Sequence, residues 1–126
     1  MRILLDSHVA LWWLEGSSKL GPNCQQRVAD ASEVYFSPVS PWELGIKKSL
    51  GKIDYPDGLV DALTDAGFIE LPISATHATE ATNLPRLHRD PFDRMLIAQA
   101  RTESLTLCTA DRRIGEYEVD VLEANS

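Results

Sequence analysis

The 126-residue sequence predicts an α/β fold in which a parallel sheet is covered by helices on both faces. Short apolar runs alternate along the chain with segments of helical pattern. The runs are continuously apolar rather than alternating, as strands buried on both faces require. Hydrophobic residues at 44% and charged residues at 25% describe an ordinary globular chain, long enough to bury a core without disulfides or metals. No repeat or linker interrupts it, so one domain over residues 1–126 is expected.

Each element follows from local chemistry. The first strand, residues 2–5, is a short apolar run ending at Asp6. Residues 7–15 read as a helix with Leu11 and Leu14 on one face and Gly16 after it. Residues 22–31 form a second helix opening on Pro22, a residue suited to a first turn. The β-branched and aromatic run 34–37 makes a second strand. A helix then opens at Ser40 and carries on to Gly51, and another covers 57–66. Residues 68–73 read as a strand, with Pro72 pointing to an edge or a final residue. A weak helix over 74–82 stops before Pro85. The strongest helix opens at Asp90-Pro91-Phe92-Asp93 and draws its apolar side from Met95, Leu96, Ile97, Ala98 and Ala100. A strand at 105–108, a short helix after Asp111 and a last strand at 119–122 complete the order.

Twelve Lys and Arg residues against 19 Asp and Glu give a formal charge of −7. That balance excludes a broad, nonspecific nucleic-acid surface, although carboxylates holding divalent cations can still face phosphate. Cys24 and Cys108 lie far apart in the sequence, with no CxxC and no zinc spacing; Cys108 is expected to pack as a small buried residue. No signal peptide is visible, and the longest apolar run, 9–14, is too short to span a bilayer. A reduced cytoplasmic protein without a membrane role is expected.

In open α/β sheets, ligands bind beyond the carboxyl ends of the strands. Four acids occupy that level. Asp6 follows the first strand, Asp111 follows the 105–108 strand, and Glu43 and Asp93 sit in the first turns of their helices. Carboxylates crowded together raise one another's pKa and call for cations. Oxygen-only ligands favour Mg²⁺ or Mn²⁺, and two such ions support phosphodiester cleavage. Helix capping is the competing account for three of them. Ser40-x-x-Glu43 fits a capping box, Asp90 suits an N-cap ahead of Pro91 and a dipole-compensating Asp93, and Asp111 suits the cap of its short helix. Asp6, at the end of a buried strand, has few structural duties. Capping does not require acids at strand ends in four separate segments.

At these residues the chain resembles the PIN-domain ribonucleases, specifically the VapC-type toxins of toxin–antitoxin pairs. The matching segments are Leu4-Leu5-Asp6-Ser7-His8, Ser37-Pro38-Val39-Ser40-Pro41-Trp42-Glu43-Leu44 with Ile46-Lys47 and Gly51-Lys52, the stretch from His88 to Ala100, and Leu107-Cys108-Thr109-Ala110-Asp111. They cover nearly the whole chain in family order. The resemblance implies a three-layer α/β/α fold with a central parallel five-stranded sheet. It implies Asp6, Glu43, Asp93 and Asp111 as catalytic ligands of one or two Mg²⁺ or Mn²⁺ ions. It further implies RNA hydrolysis to 5′-phosphate and 3′-hydroxyl ends, often on tRNA, a homodimer, and silencing by a VapB-type antitoxin. Asp6 and Asp93 are then the expected direct ligands of the first ion, and Asp111 and Glu43 complete that shell or hold a second. Thr109 or Ser7, which stands where a threonine is commoner, is expected to hydrogen-bond a ligand carboxylate. Asp90 is a fifth acid with two roles open, helix cap or support of a second metal.

Arg89, Arg94 and Lys47 are candidates for gripping RNA phosphates, whereas Arg101 and Lys52 read as solvated helix face. Of Trp12 and Trp13, one is expected in the core and the other as an anchor for an antitoxin or second subunit. His8, His77 and His88 admit a metal-free acid–base ribonuclease, but nothing in the sequence pairs two of them. An aspartate-based phosphotransfer module is a further alternative. It wants paired acids near the first strand, which Asp6-Ser7-His8 lacks. A non-catalytic PIN-like interaction module is the third reading, opposed by the presence of all four acids.

Overall fold

The computed structural model describes residues 1–126. Its five strands are β1 (Arg2–Leu5), β2 (Glu33–Phe36), β3 (Ile69–Glu70), β4 (Thr106–Thr109) and β5 (Val121–Glu123). All pair in parallel, in the order β3-β2-β1-β4-β5. The helices are α1 (Ser7–Glu15), α2 (Pro22–Asp30), α3 (Val39–Ser49), α4 (Leu59–Asp65), α5 (Ala75–Asn83) and α6 (Pro91–Thr102), with a 3₁₀ turn at Arg112–Glu116.

The pleat of β1 divides the core in two. Ile3 and Leu5 point into one cluster with Val9, Cys24, Val28, Phe36, Leu44 and Leu63. Leu4 points into the other, with Val39, Leu96, Ile97, Leu107 and Ile114. The three β1 side chains are fully buried, each contributing roughly 1.5–3 kcal/mol of apolar transfer free energy. A sheet with packed clusters on both faces is the three-layer α/β/α architecture. In the register of the central strands, Leu5 lies beside Phe36 and Cys108, so β1, β2 and β4 end at one level.

Several elements depart from their sequence-predicted bounds. The third strand shrinks from 68–73 to Ile69–Glu70; Leu71 N–H still donates to Phe36 O at 2.8 Å, and the next residue, Pro72, has no N–H to offer. The last strand pairs over 121–123 instead of 119–122, because Val119 N–H is turned back onto Tyr117 O. The fourth helix waits for Gly58, whose φ of 87° is a left-handed turn. The third helix begins at Val39 with Pro38 as cap, so the expected Ser40–Glu43 capping box does not form. Ser40 is buried inside the helix and accepts a hydrogen bond from Ser7 Oγ at 3.1 Å.

The two cysteines, 84 residues apart in sequence, meet in the core with Sγ atoms 3.4 Å apart, both as free thiols. Trp13 packs edge-on to Phe68 at 5.9 Å, and both Trp12 and Trp13 are half-buried against the core. No helix is long and apolar enough to cross a membrane.

Candidate metal centre

The common end of β1, β2 and β4 carries the acidic residues. Asp6 N–H donates to Cys108 O at 2.9 Å, extending the strand pairing by one residue and fixing the carboxylate over the sheet edge. Its Oδ2 accepts from Thr109 Oγ1 at 2.6 Å, and its Oδ1 from His8 N–H at 3.2 Å. Asp6 therefore also caps α1, a structural duty the sequence did not reveal. Thr109 Oγ1 in turn accepts from Asp111 N–H at 3.1 Å, tying the two strand-end acids together. Ser7 is turned to Ser40 and touches no carboxylate.

Glu43 and Asp93 reach the same cleft from α3 and α6, at the bottom of a cavity of about 390 Å³. Glu43 is buried; Oε2 accepts from Lys47 Nζ at 3.1 Å, and Oε1 has no partner. Lys47 Nζ lies 3.3 Å from His8 Nε2 as well, so one ammonium joins α3 to α1 across the cleft. Asp93 is buried with its Oδ2 2.6 Å from His88 Nε2, and that same nitrogen stands 3.6 Å from Asp111 Oδ2. Asp90 is the N-cap of α6, accepting from Phe92 and Asp93 N–H at 2.8 and 3.3 Å, and its side chain forms part of the cleft wall. Asp111 caps the 3₁₀ turn and pairs with Arg113 at 3.1 Å.

Burial pushes the Asp6 carboxyl above its ordinary range, against the pull of the Thr109 hydrogen bond. Asp93 is pushed up to about 7, first by burial and then by the charge of Asp6. Asp111 moves the other way, held low by Arg113. A buried group of acids that resists full ionisation, together with the orphaned Glu43 Oε1, describes a site suited to a cation. Its oxygens are hard donors of the kind Mg²⁺ and Mn²⁺ prefer.

Of the sequence-predicted candidates, Asp6, Glu43, Asp93, Asp111, Asp90 and Lys47 line one cleft. Thr109 joins them through Asp6. Arg89 is exposed and forms no part of the cleft wall. Arg94 must be corrected. Its guanidinium donates to the carbonyls of Ala81, Thr82, Leu84, Pro85 and His88 at 2.8–3.4 Å, so it braces a loop and is not available to grip phosphate. Sequence reasoning missed His88 as a partner of two acids, and Arg113, His8 and Trp12 as walls of the cleft. The signals were thin: His88 stands five residues before Asp93, and Arg113 two after Asp111.

Comparison with known proteins agrees with this architecture. Ribonuclease VapC22 of Mycobacterium tuberculosis is 29% identical over 122 residues, covering 91% of each chain. Among solved structures, a toxin–antitoxin complex from Klebsiella pneumoniae superposes with a TM-score of 0.69 at 16% identity, covering 97% of each chain. FitAcB from Neisseria gonorrhoeae superposes with a TM-score of 0.66 at 20% identity, again covering 97% of each. The sequence pattern of the PIN domain matches residues 3–120. With that match, the parallel five-stranded sheet and the acids gathered at its carboxyl edge, the chain belongs to the PIN domain family.

Proposed function

We propose that this chain is a metal-dependent endoribonuclease, the toxin of a type II toxin–antitoxin pair, acting through Asp6, Glu43, Asp93 and Asp111. The observation that carries the reading is the meeting of these four acids from separate segments in one cleft. The name of the curated relative, a ribonuclease, supports the activity. The similarity in fold to a toxin–antitoxin complex supports an antitoxin, of VapB type, as partner.

Asp6 and Asp93 would hold a Mg²⁺ or Mn²⁺ ion directly, with Asp111 and Glu43 completing its shell or holding a second. When bound, the ion supplies Lewis-acid polarisation of the phosphodiester and a water activated for attack. Thr109 keeps Asp6 pointed at the cleft by its 2.6 Å hydrogen bond. Lys47 and Arg113, at the rim, meet the phosphates flanking the scissile one, and Arg89 contributes a more distant contact. Asp90 caps α6 and so fixes the first turn that carries Asp93. Cleavage leaves 5′-phosphate and 3′-hydroxyl ends, with structured RNA such as tRNA the substrate class. The protein works as a cytoplasmic single-domain nuclease over residues 1–126 and as a homodimer. Exposed Trp42 and Ile46 on α3 and Leu50 at its C-cap, spaced four residues apart, supply an apolar stripe of the kind interfaces use.

An aspartyl-phosphate mechanism is weaker. It calls for paired acids beside the first strand, and Asp6-Ser7-His8 offers only one.

End-labelled total tRNA incubated with the protein is expected to yield discrete cuts with Mg²⁺ or Mn²⁺, none with EDTA, and none with Asp93→Asn. Equal cutting by wild type and variant would reject the site. Absence of cutting by wild type on tRNA, together with absence of divalent-ion binding, would reject the nuclease.

A further inference from the structure

We propose that His88 is an imidazole ligand of the metal centre, making it a mixed nitrogen–oxygen site that selects Mn²⁺ over Mg²⁺. This rests on the metal-binding part of the reading above and does not depend on RNA being the substrate.

His88 Nε2 lies 2.6 Å from Asp93 Oδ2 and 3.6 Å from Asp111 Oδ2, and a donor atom from each of the three residues falls within 4.8 Å of the others. Around an octahedral ion with ligands at roughly 2.1 Å, neighbouring donors stand about 3.0 Å apart and opposite ones about 4.2 Å. The three donors lie within reach of a single ion, which would replace the 2.6 Å hydrogen bond between His88 and Asp93. A second observation points to the same place. Glu43 Oε1, in the same cleft as Asp93 and Asp111, is buried without a partner, an arrangement that costs free energy unless something fills it.

A histidine that merely orients a ligand carboxylate touches one ligand from outside the donor group. His88 Nε2 instead faces carboxylates from two elements, α6 and the segment after β4. Its backbone is pinned on both sides. The His88 N–H donates to Tyr117 Oη at 2.9 Å, Tyr117 Oη donates to Pro85 O at 2.9 Å, and Arg94 donates to His88 O at 3.3 Å. These bonds hold a segment without regular structure so that one buried imidazole meets Asp93 and Asp111, two acids of the cleft.

Selectivity follows from ligand chemistry. Mg²⁺ is a hard ion best served by oxygen and water, whereas imidazole nitrogen suits transition ions and lifts Mn²⁺ relative to Mg²⁺. His8 is the control. It lines the cleft, but its Nε2 faces Lys47 Nζ at 3.3 Å.

The experiment loads the full chain with Mn²⁺ and reads pulsed EPR for a histidine nitrogen coupling, alongside calorimetric titration with Mn²⁺ and Mg²⁺. The coupling is expected in wild type and in His8→Asn, and absent in His88→Asn. In His88→Asn, Mn²⁺ affinity is expected to fall by at least about tenfold and Mg²⁺ affinity by less. Bound Mn²⁺ without nitrogen coupling, coupling that survives His88→Asn, or equal losses for both ions would overturn the proposal while leaving the nuclease reading standing. Nitrogen coupling without RNA cleavage would do the reverse. Should His88→Asn fail to fold by circular dichroism, histidine-selective ¹⁵N labelling of His8→Asn decides between coupling and none.

Discussion

Asp93 shows how one buried carboxyl ties stability to pH. Its pKa is pushed up to about 7, so in the metal-free protein it stays protonated where the unfolded chain would already be ionised. The stability it contributes is fully present below about pH 4 and is lost as pH rises through about 7. Asp6 is shifted in the same direction and adds to the slope. Asp111 is shifted down, so its contribution is present above the ordinary carboxylate range and fades only at lower pH, outside this window. In EDTA, Tm is therefore expected to fall between about pH 5 and about pH 8. Asp93→Asn is expected to remove most of that slope and raise Tm at the alkaline end, as differential scanning fluorimetry would show. Mn²⁺ is expected to restore the wild-type Tm at high pH and to do little for the variant. A flat wild-type profile would contradict the pKa of Asp93.

The same carboxylates show what could be read without coordinates. Asp6 and Asp111 stand just after strands and Asp93 in a first helical turn, positions set by local sequence, and parallel pairing of β1, β2 and β4 then brings them to one level; Glu43, expected in a first turn, falls in the second because α3 starts at Val39. His88 was not legible. It lies between α5 and α6, where no periodicity fixes direction, and its path is set by Arg94 and Tyr117 from later elements. Arg94 was misread for the same reason: whether a helix arginine faces solvent depends on what loop wraps over it.

Among the elements, α6 and the loop before it form the least obvious unit. Arg94 caps the C-terminal end of α5 and braces the loop that follows to His88 by offering its fork of donors to five carbonyls. Arg94→Gln is expected to cost about 2–4 kcal/mol in urea unfolding, since several charge-assisted bonds are lost together. Arg94→Lys is expected to recover little, because an ammonium cannot reproduce the planar fork. Both variants are expected to be cut faster by protease within 81–88. A neutral result for Arg94→Lys would mean the carbonyls are satisfied by other donors. Element boundaries followed similar logic. The short β3 and the delayed β5 are the edge strands of the sheet, where only one neighbour defines the end of pairing. The predicted capping box at Ser40 failed because Ser40 is buried and engaged with Ser7, a contact between α3 and α1 that no local pattern encodes.

At the scale of the whole molecule, the last residues lock onto the first third of the chain. Gly21 N–H donates to Ala124 O at 2.9 Å, and Asn23 and Cys24 N–H both donate to Ser126 O, at 3.0 and 3.2 Å. A Cβ at Gly21 would collide with the carbonyl oxygens of Ser126 and Asn125. Gly21→Ala is expected to destabilise the fold by about 1–3 kcal/mol, through this overpacking, and to raise hydrogen exchange over 121–126. Unchanged exchange there would show that the terminal residues can shift at no cost. Beneath the same helix start, Cys24 meets Cys108, a pairing invisible in sequence because only the assembled sheet brings α2 to β4.

The placement of β1 at the centre of the sheet has a temporal meaning. Asp6 is made first, yet the neighbour that orients it, Thr109, arrives with β4, and Asp111 follows two residues later. Chains emerge from the ribosome at about 5–20 residues per second. Until residue 111 is added, then, a growing chain carries only part of the acidic set. Whatever chemistry the centre performs is withheld until β4 and the turn after it have been made, so a fragment that stops short of Asp111 lacks the complete acidic set.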